Sequence, residues 1–220
     1  MRIGIIACQV LREEIEAITG GDPDVVHREY LERGLHDSPD RLRDTVIERV
    51  EALEGKVDVV FLGYAICQSL DAVPSAIKLP FVMLREEDCI ASILGPEEYT
   101  KEKAICAGTW FSSPGWAEWW GESGLEMLVR EEEMQGLEEL GYSKFDFAKM
   151  QFDGYSRCLA IDTGVGGFER CLSLSEDFAE RFGFKCEQRK GDIKVLRKAW
   201  NDVKDGRWHL PSELTGYGKK

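Results

Sequence analysis

Arg2-Ile3-Gly4-Ile5-Ile6-Ala7, with Cys8 directly behind it, opens the chain on a short apolar run without polar alternation. Such a run suits a strand covered on both faces, as in a parallel sheet sandwiched between helices. The pattern then repeats outward. Leu11, Ile15 and Ile18 share one helical face that Gly20-Gly21 stops, and Val25 to Tyr30 reads as a second strand. Ser38-Pro39-Asp40 is a helix start with a capping serine, proline in the first turn and an acid at the positive dipole end. Leu42, Val46, Val50 and Leu53 form the stripe that follows. Val57 to Gly63 and Leu79 to Leu84 are the third and fourth strands. Strands alternating with helices predict an α/β fold: a three-layer, Rossmann-like or flavodoxin-like, mostly parallel sheet with right-handed crossovers.

The middle of the chain changes character. Residues 86–148 carry 15 acidic and 4 basic side chains, and four of the six tryptophans, Trp110, Trp116, Trp119 and Trp120, fall there. Cys89 to Leu94 reads as a helix opening, Gly108 to Ser112 as a strand and Leu125 to Leu140 as an acidic helix weakened by Gly136. The expectation is one domain over 1–220 with residues 96–150 as a helical insertion or lid. The last third returns to α/β, with a strand at Cys158 to Asp162, a helix from a Ser175 cap to Phe182, a strand at Phe184 to Gln188, a helix over Asp192 to Val203 and an irregular tail.

Composition narrows function. The 220 residues are 43% hydrophobic and carry 28 basic against 41 acidic side chains, a formal charge of −13. That charge argues against nucleic acid and anionic membrane surfaces, both of which need clustered Lys and Arg. No apolar run reaches the length of a membrane span, and the start lacks the pattern of a signal peptide, so the expected setting is cytoplasmic. Seven cysteines without a CxxC pair fit neither a secreted disulfide framework nor a local zinc ribbon. No GxSxG or HExxH occurs.

In an open parallel sheet, ligands bind beyond the carboxyl ends of the strands. The first strand is followed by Cys8, the second by His36, the third by Tyr64 and Cys67, and the fourth by Glu87, Asp88 and Cys89. With strand order 2-1-3-4 these ends are neighbours at about 4.8 Å spacing. Cys8, Cys67, Cys89 and His36 are thus the candidate metal ligands, for zinc or an iron–sulfur cluster. Three thiolates leave a fourth position for His36, solvent or substrate. Against this stands the packing alternative, since cysteine behaves as a small buried hydrophobe. Cys106, Cys158, Cys171 and Cys186 are expected to pack in that way. A third alternative makes Cys8 or Cys67 a nucleophile at a helix N-terminus.

Asp162-Thr163-Gly164-Val165-Gly166-Gly167 follows a strand but lacks the P-loop Lys and the full GxGxxG spacing, so a nucleotide cofactor is not expected. Asp162 and Thr163, with Tyr64, Glu87, Asp88 and Trp116, are the candidate substrate-binding residues. The tryptophans allow an aromatic cage for a cationic small molecule such as a methylated amine, or else a lid or a homo-oligomer contact.

Several ordered motifs together resemble one family. They are Ile5-Ile6-Ala7-Cys8 with Val10-Leu11-Arg12, Gly34-Leu35-His36-Asp37-Ser38-Pro39, Leu62-Gly63-Tyr64 with Cys67, and Asp88-Cys89-Ile90 running to Leu94-Gly95 and Tyr99. Ser113-Pro114-Gly115-Trp116 and Ile161-Asp162-Thr163-Gly164 complete the set. The chain resembles the domain-of-unknown-function 1638 family over roughly residues 2 to 200. The resemblance implies a setting in anaerobic bacteria and methanogenic archaea, alongside corrinoid-dependent methyltransferase systems. A corrinoid protein or methyltransferase is then the implied partner. The family pattern emphasises Cys8, His36, Cys67 and Cys89, and usually has histidine where this chain has Glu87. The expectation is a metal- or cluster-binding component of one-carbon metabolism; the alternative is a metal-free small-molecule binding or regulatory protein.

Overall fold

A computed structural model describes residues 1–33, 35, 38–67, 70–124, 128–129 and 131–210. Its contacts divide the chain into two compact units, Met1–Pro96 with Asp192–Lys220 and Glu97–Gly191. Each is built on its own all-parallel sheet.

In the first unit, β1 (Ile3–Cys8) is buried at every residue, as its unbroken apolar run requires. It leads through a 3-10 turn into α1 (Arg12–Thr19), then β2 (Val25–Leu31), α2 (Pro39–Glu51), β3 (Val59–Gly63), α3 (Val73–Ala76), β4 (Phe81–Met83) and α4 (Cys89–Leu94). The strand order is β2-β1-β3-β4, the order on which the strand-end argument depends. Leu42, Val46, Val50 and Leu53 are all buried, so the α2 stripe faces inward as its spacing demands. The chain returns to this unit at Asp192, whose N–H donates to the Ile93 carbonyl at 2.8 Å, and α10 (Lys194–Lys204) buries Leu196, Ala199, Trp200 and Val203. An antiparallel bridge between Phe81 and His209 then seals the edge strand β4.

The second unit comprises α5 (Pro96–Ile105, entered from the first unit), β5 (Thr109–Ser112), α6 (Pro114–Ser123), α7 (Glu131–Met134), α8 (Lys144–Gln151), β6 (Arg157–Asp162), α9 (Phe168–Phe182) and β7 (Lys185–Lys190). Its sheet runs β5-β6-β7. The expected single sheet is therefore two. Residues 97–150 fall within the second unit, where β5 pairs with β6 over Thr109–Ser112 and Arg157–Ala160. Two element predictions also change. The helix expected over Leu125 to Leu140 is broken, with Gly136 in the left-handed region at φ +81 between α7 and a 3-10 turn at Glu138–Leu140; residues 125–127 and 130 lie outside the described part. Ser175 is not a cap: α9 begins seven residues earlier, and the Ser175 hydroxyl sits inside it, bonding the Cys171 carbonyl at 2.7 Å and the Ser112 hydroxyl at 2.8 Å.

Aromatic packing fills the second unit. Trp110 stacks on Phe178 at 5.0 Å, and Trp120 meets the same ring edge-on at 4.8 Å. Beneath the sheet, Glu102 (1% exposed) accepts from Arg157 Nη1 at 2.7 Å and Arg189 Nε at 2.5 Å. Two cations on one buried carboxylate tie α5 to β6 and β7.

Candidate functional site

The carboxyl edge of the first sheet is assembled by its register. Ala7 pairs with Gly63 and Leu62 with Met83, so β1, β3 and β4 end side by side. The ladder continues into the loops: the Leu84 N–H donates to the Tyr64 carbonyl at 3.2 Å, Ile66 N–H to Glu86 at 3.1 Å and Cys67 N–H to Glu87 at 3.1 Å. The loops after β3 and β4 are thereby held against one another. Gly63 is required at this edge. A Cβ there would stand 2.5 Å from both the Ala7 Cβ and the Ile15 Cδ1, closer than packed carbon atoms approach. The Asp88 carboxylate accepts from the Ala91 N–H at 2.8 Å, capping α4 and placing Cys89 as its first residue.

Cys8 and Cys89 are buried, and Cys67 is partly exposed. Their charges are coupled. Burial, then the charge Cys89 would carry, pushes the Cys8 thiol up to about 12, against the Val10 N–H and the Arg33 guanidinium. Burial, then Asp88 and Cys8, pushes Cys67 up to about 12, while the Cys89 N–H donates to its sulfur. The Tyr64 phenol is raised as well, by burial and by Cys8, Cys67 and Glu29. Cys8 and Cys67 are therefore protonated at neutral pH. Cys67 adds a backbone feature. Its φ of +41 makes it the one non-glycine residue among those described in the left-handed region, which costs an L-residue about 1 kcal/mol or more.

The structure thus gathers Cys8, Cys67, Cys89, Tyr64 and Asp88, five of the ten residues expected from sequence. Arg33, two residues past β2, and Glu29, within β2, join their electrostatic neighbourhood and were not anticipated; for Arg33 only its position near a strand end could have signalled it. His36 lies outside the described residues. As the side chains stand, no group of three or more His, Cys, Asp or Glu among the described residues could hold a metal ion. Glu87 engages Cys67 through its backbone carbonyl, and Asp88 serves as a helix cap.

Trp116, Asp162 and Thr163 belong to the second unit. Trp116 makes edge contacts with Trp110 at 6.0 Å and Trp119 at 5.8 Å. Asp162 ends β6, its carboxylate accepting from the Gly164 N–H at 3.0 Å, and Thr163 is buried beside it. They occupy a carboxyl edge, but that of the other sheet. Cys158 and Cys171 are buried, as expected for packing residues, whereas Cys106 and Cys186 are partly exposed.

Parallel strands, crossover helices and loops bearing side chains at the carboxyl edge define an α/β protein of Rossmann-like type. No helix among the described residues is long and apolar enough to cross a membrane. The chain belongs to the family described as Protein of unknown function (DUF1638), whose profile matches residues 30–200. That match takes in Cys67 and Cys89 and begins beyond Cys8. No curated protein and no solved structure matches the chain.

Proposed function

We propose that the first unit binds a soft metal ion or an iron–sulfur cluster on Cys8, Cys67 and Cys89, as a component of one-carbon or methyl-transfer metabolism. The carrying observation is the delivery of three thiols, from three strand ends, into one electrostatic neighbourhood. Cys67 sharpens it, since a cysteine sits where the backbone would favour glycine. Three sulfurs are a soft donor set suited to zinc or iron. Burial first, and neighbouring negative charge second, keep Cys8 and Cys67 protonated; a bound cation would offset both, so binding would release protons and require the side chains to rotate into a common set. Bound there, the metal would supply a Lewis acid with an open position. The methyl-transfer setting rests on the family resemblance alone.

The test is anaerobic purification followed by metal analysis and a visible spectrum. The expected result is stoichiometric zinc, or iron with broad absorbance near about 400 nm. The Cys8→Ser, Cys67→Ser, Cys89→Ser triple variant should lose it. Metal content unchanged in that variant would sink the proposal.

A metal-free small-molecule binder is the second reading, favoured by the protonated Cys8 and Cys67 thiols and by a cavity of about 520 Å³ at the end of β2. Leu31, the strand partner of Cys8, lines that cavity. Metal-free protein that binds a methylated amine or thiol would decide for it.

A further inference from the structure

A second cavity, of about 440 Å³, lies in the first unit between the carboxyl half of β4, helix α10 and the segment that bridges back to the edge strand. That volume falls within the range of small-molecule sites. Val82, Met83, Val195, Ala199 and Trp208 give it an apolar wall, and its charged lining is Arg85, Glu86, Lys198, Asp202 and Arg207, with His209.

The charges are already sorted. Asp202 is shared by Lys198 at 3.1 Å and Arg207 at 2.6 Å. Glu86 turns back to accept from the Arg85 backbone N–H at 2.9 Å. Among the described residues the Arg85 guanidinium meets no carboxylate; its Nη2 lies 2.8 Å from His209 Nε2. Arginine can only donate, so a hydrogen bond at this contact has Nε2 as its acceptor. His209 is fixed in place by paired backbone bonds with Phe81 at 2.8 and 3.1 Å and by ring contact with Phe81 at 5.6 Å. In a chain of charge −13, this is a cavity with a net positive lining, and its cation is oriented by a pinned ring.

We infer that this cavity binds a small organic oxyanion, a carboxylate or phosphate ester, with the charged group on Arg85 and the apolar body against Trp208 and the β4 wall. Guanidinium is suited to this because its planar fork pairs with both oxygens of such a group. The tryptophan offers a flat apolar surface at small entropic cost. The site is separate from the thiol edge and does not depend on any metal there.

The experiment titrates the full chain with benzoate, inorganic phosphate and the uncharged isostere benzamide, followed by calorimetry. Benzoate is expected to saturate and benzamide not. Arg85→Gln, at an exposed position, should keep the wild-type melting curve and weaken benzoate about tenfold or more, the worth of one charge-assisted bond. Saturation by phosphate in place of benzoate, with the same Arg85 dependence, supports oxyanion recognition and assigns the phosphate source. The triple serine variant of the thiol edge should bind as wild type, so each reading can fail alone. Absence of saturation by either anion would overturn the inference, as would wild-type affinity in Arg85→Gln or benzamide binding as tightly as benzoate.

Discussion

The seven cysteines divide between the two units, and their placement differs in kind. In the first unit Cys8 ends β1, Cys67 lies in the turn after β3 and Cys89 opens α4 after β4. In the second, Cys158 and Cys186 face each other within the β6–β7 ladder, Cys171 lies in the first turn of α9 and Cys106 follows the end of α5. Sulfur in the body of a sheet is enclosed by its neighbours and packs as a small apolar group. At a strand end it meets the loops, where the backbone is free to present it to a ligand. The second unit adds buried charge to its aromatic core: Arg157 and Arg189 hold the buried Glu102, whereas close apolar contact surrounds Gly63 in the first.

That contrast can be broken from either side. Arg157→Ala should have the largest effect. It strips Glu102 of its best-buried cation and should cost about 3 kcal/mol, read by urea unfolding through tryptophan fluorescence, which reports chiefly on the second unit. Gly63→Ala should destabilise the first unit by about 1–3 kcal/mol through overpacking against Ala7 and Ile15, with the second unit's fluorescence transition left in place. Should both variants shift the two transitions equally, the units are not independent in stability.

Alkaline pH separates the units by charge. Free thiols ionise near 9.0, whereas Cys8 and Cys67 in the folded chain hold their protons to about 12. Their contribution is therefore complete below pH 9 and is lost as pH rises towards 12, because the unfolded chain gives up its protons first. At pH 10 the expected loss is about 1 kcal/mol per thiol, removed in the Cys8→Ser, Cys67→Ser double variant. In the second unit Cys186 is lowered by its hydrogen bond from Cys158 while Cys158 is raised, so the pair partly offsets itself. The smallest effect is Cys67→Gly, expected to stabilise metal-free protein by roughly 0.5–1 kcal/mol by relieving the left-handed backbone, while removing a proposed ligand. Destabilisation there would mean that the Cys67 side chain is a packing element.

Much of this was legible beforehand. The apolar runs before Cys8, Tyr64 and Arg85 marked three buried parallel strands, and Ser38-Pro39 marked the start of α2, because these signals act over a few residues. The neighbourhood of Cys8, Cys67 and Cys89 was legible too, once the order 2-1-3-4 was assumed. The division into two sheets was not. Nothing local to Thr109–Ser112 states that its partner is Arg157–Ala160, since the pairing spans nearly fifty residues and is decided by which apolar faces can be covered together. Arg33 beside Cys8 and Arg85 against His209 were invisible for the same reason.

Periodicity, caps and turn residues act through the chain's nearest neighbours, so the strands, the crossover helices and the class of fold were settled by the order of the amino acids themselves. Which strands share a sheet, that Cys67 takes a left-handed backbone and that Arg85 faces an imidazole depend on segments far apart in the chain meeting in space. Those were decided only when the tertiary structure closed, because burial and charge are properties of the surroundings and not of the residue.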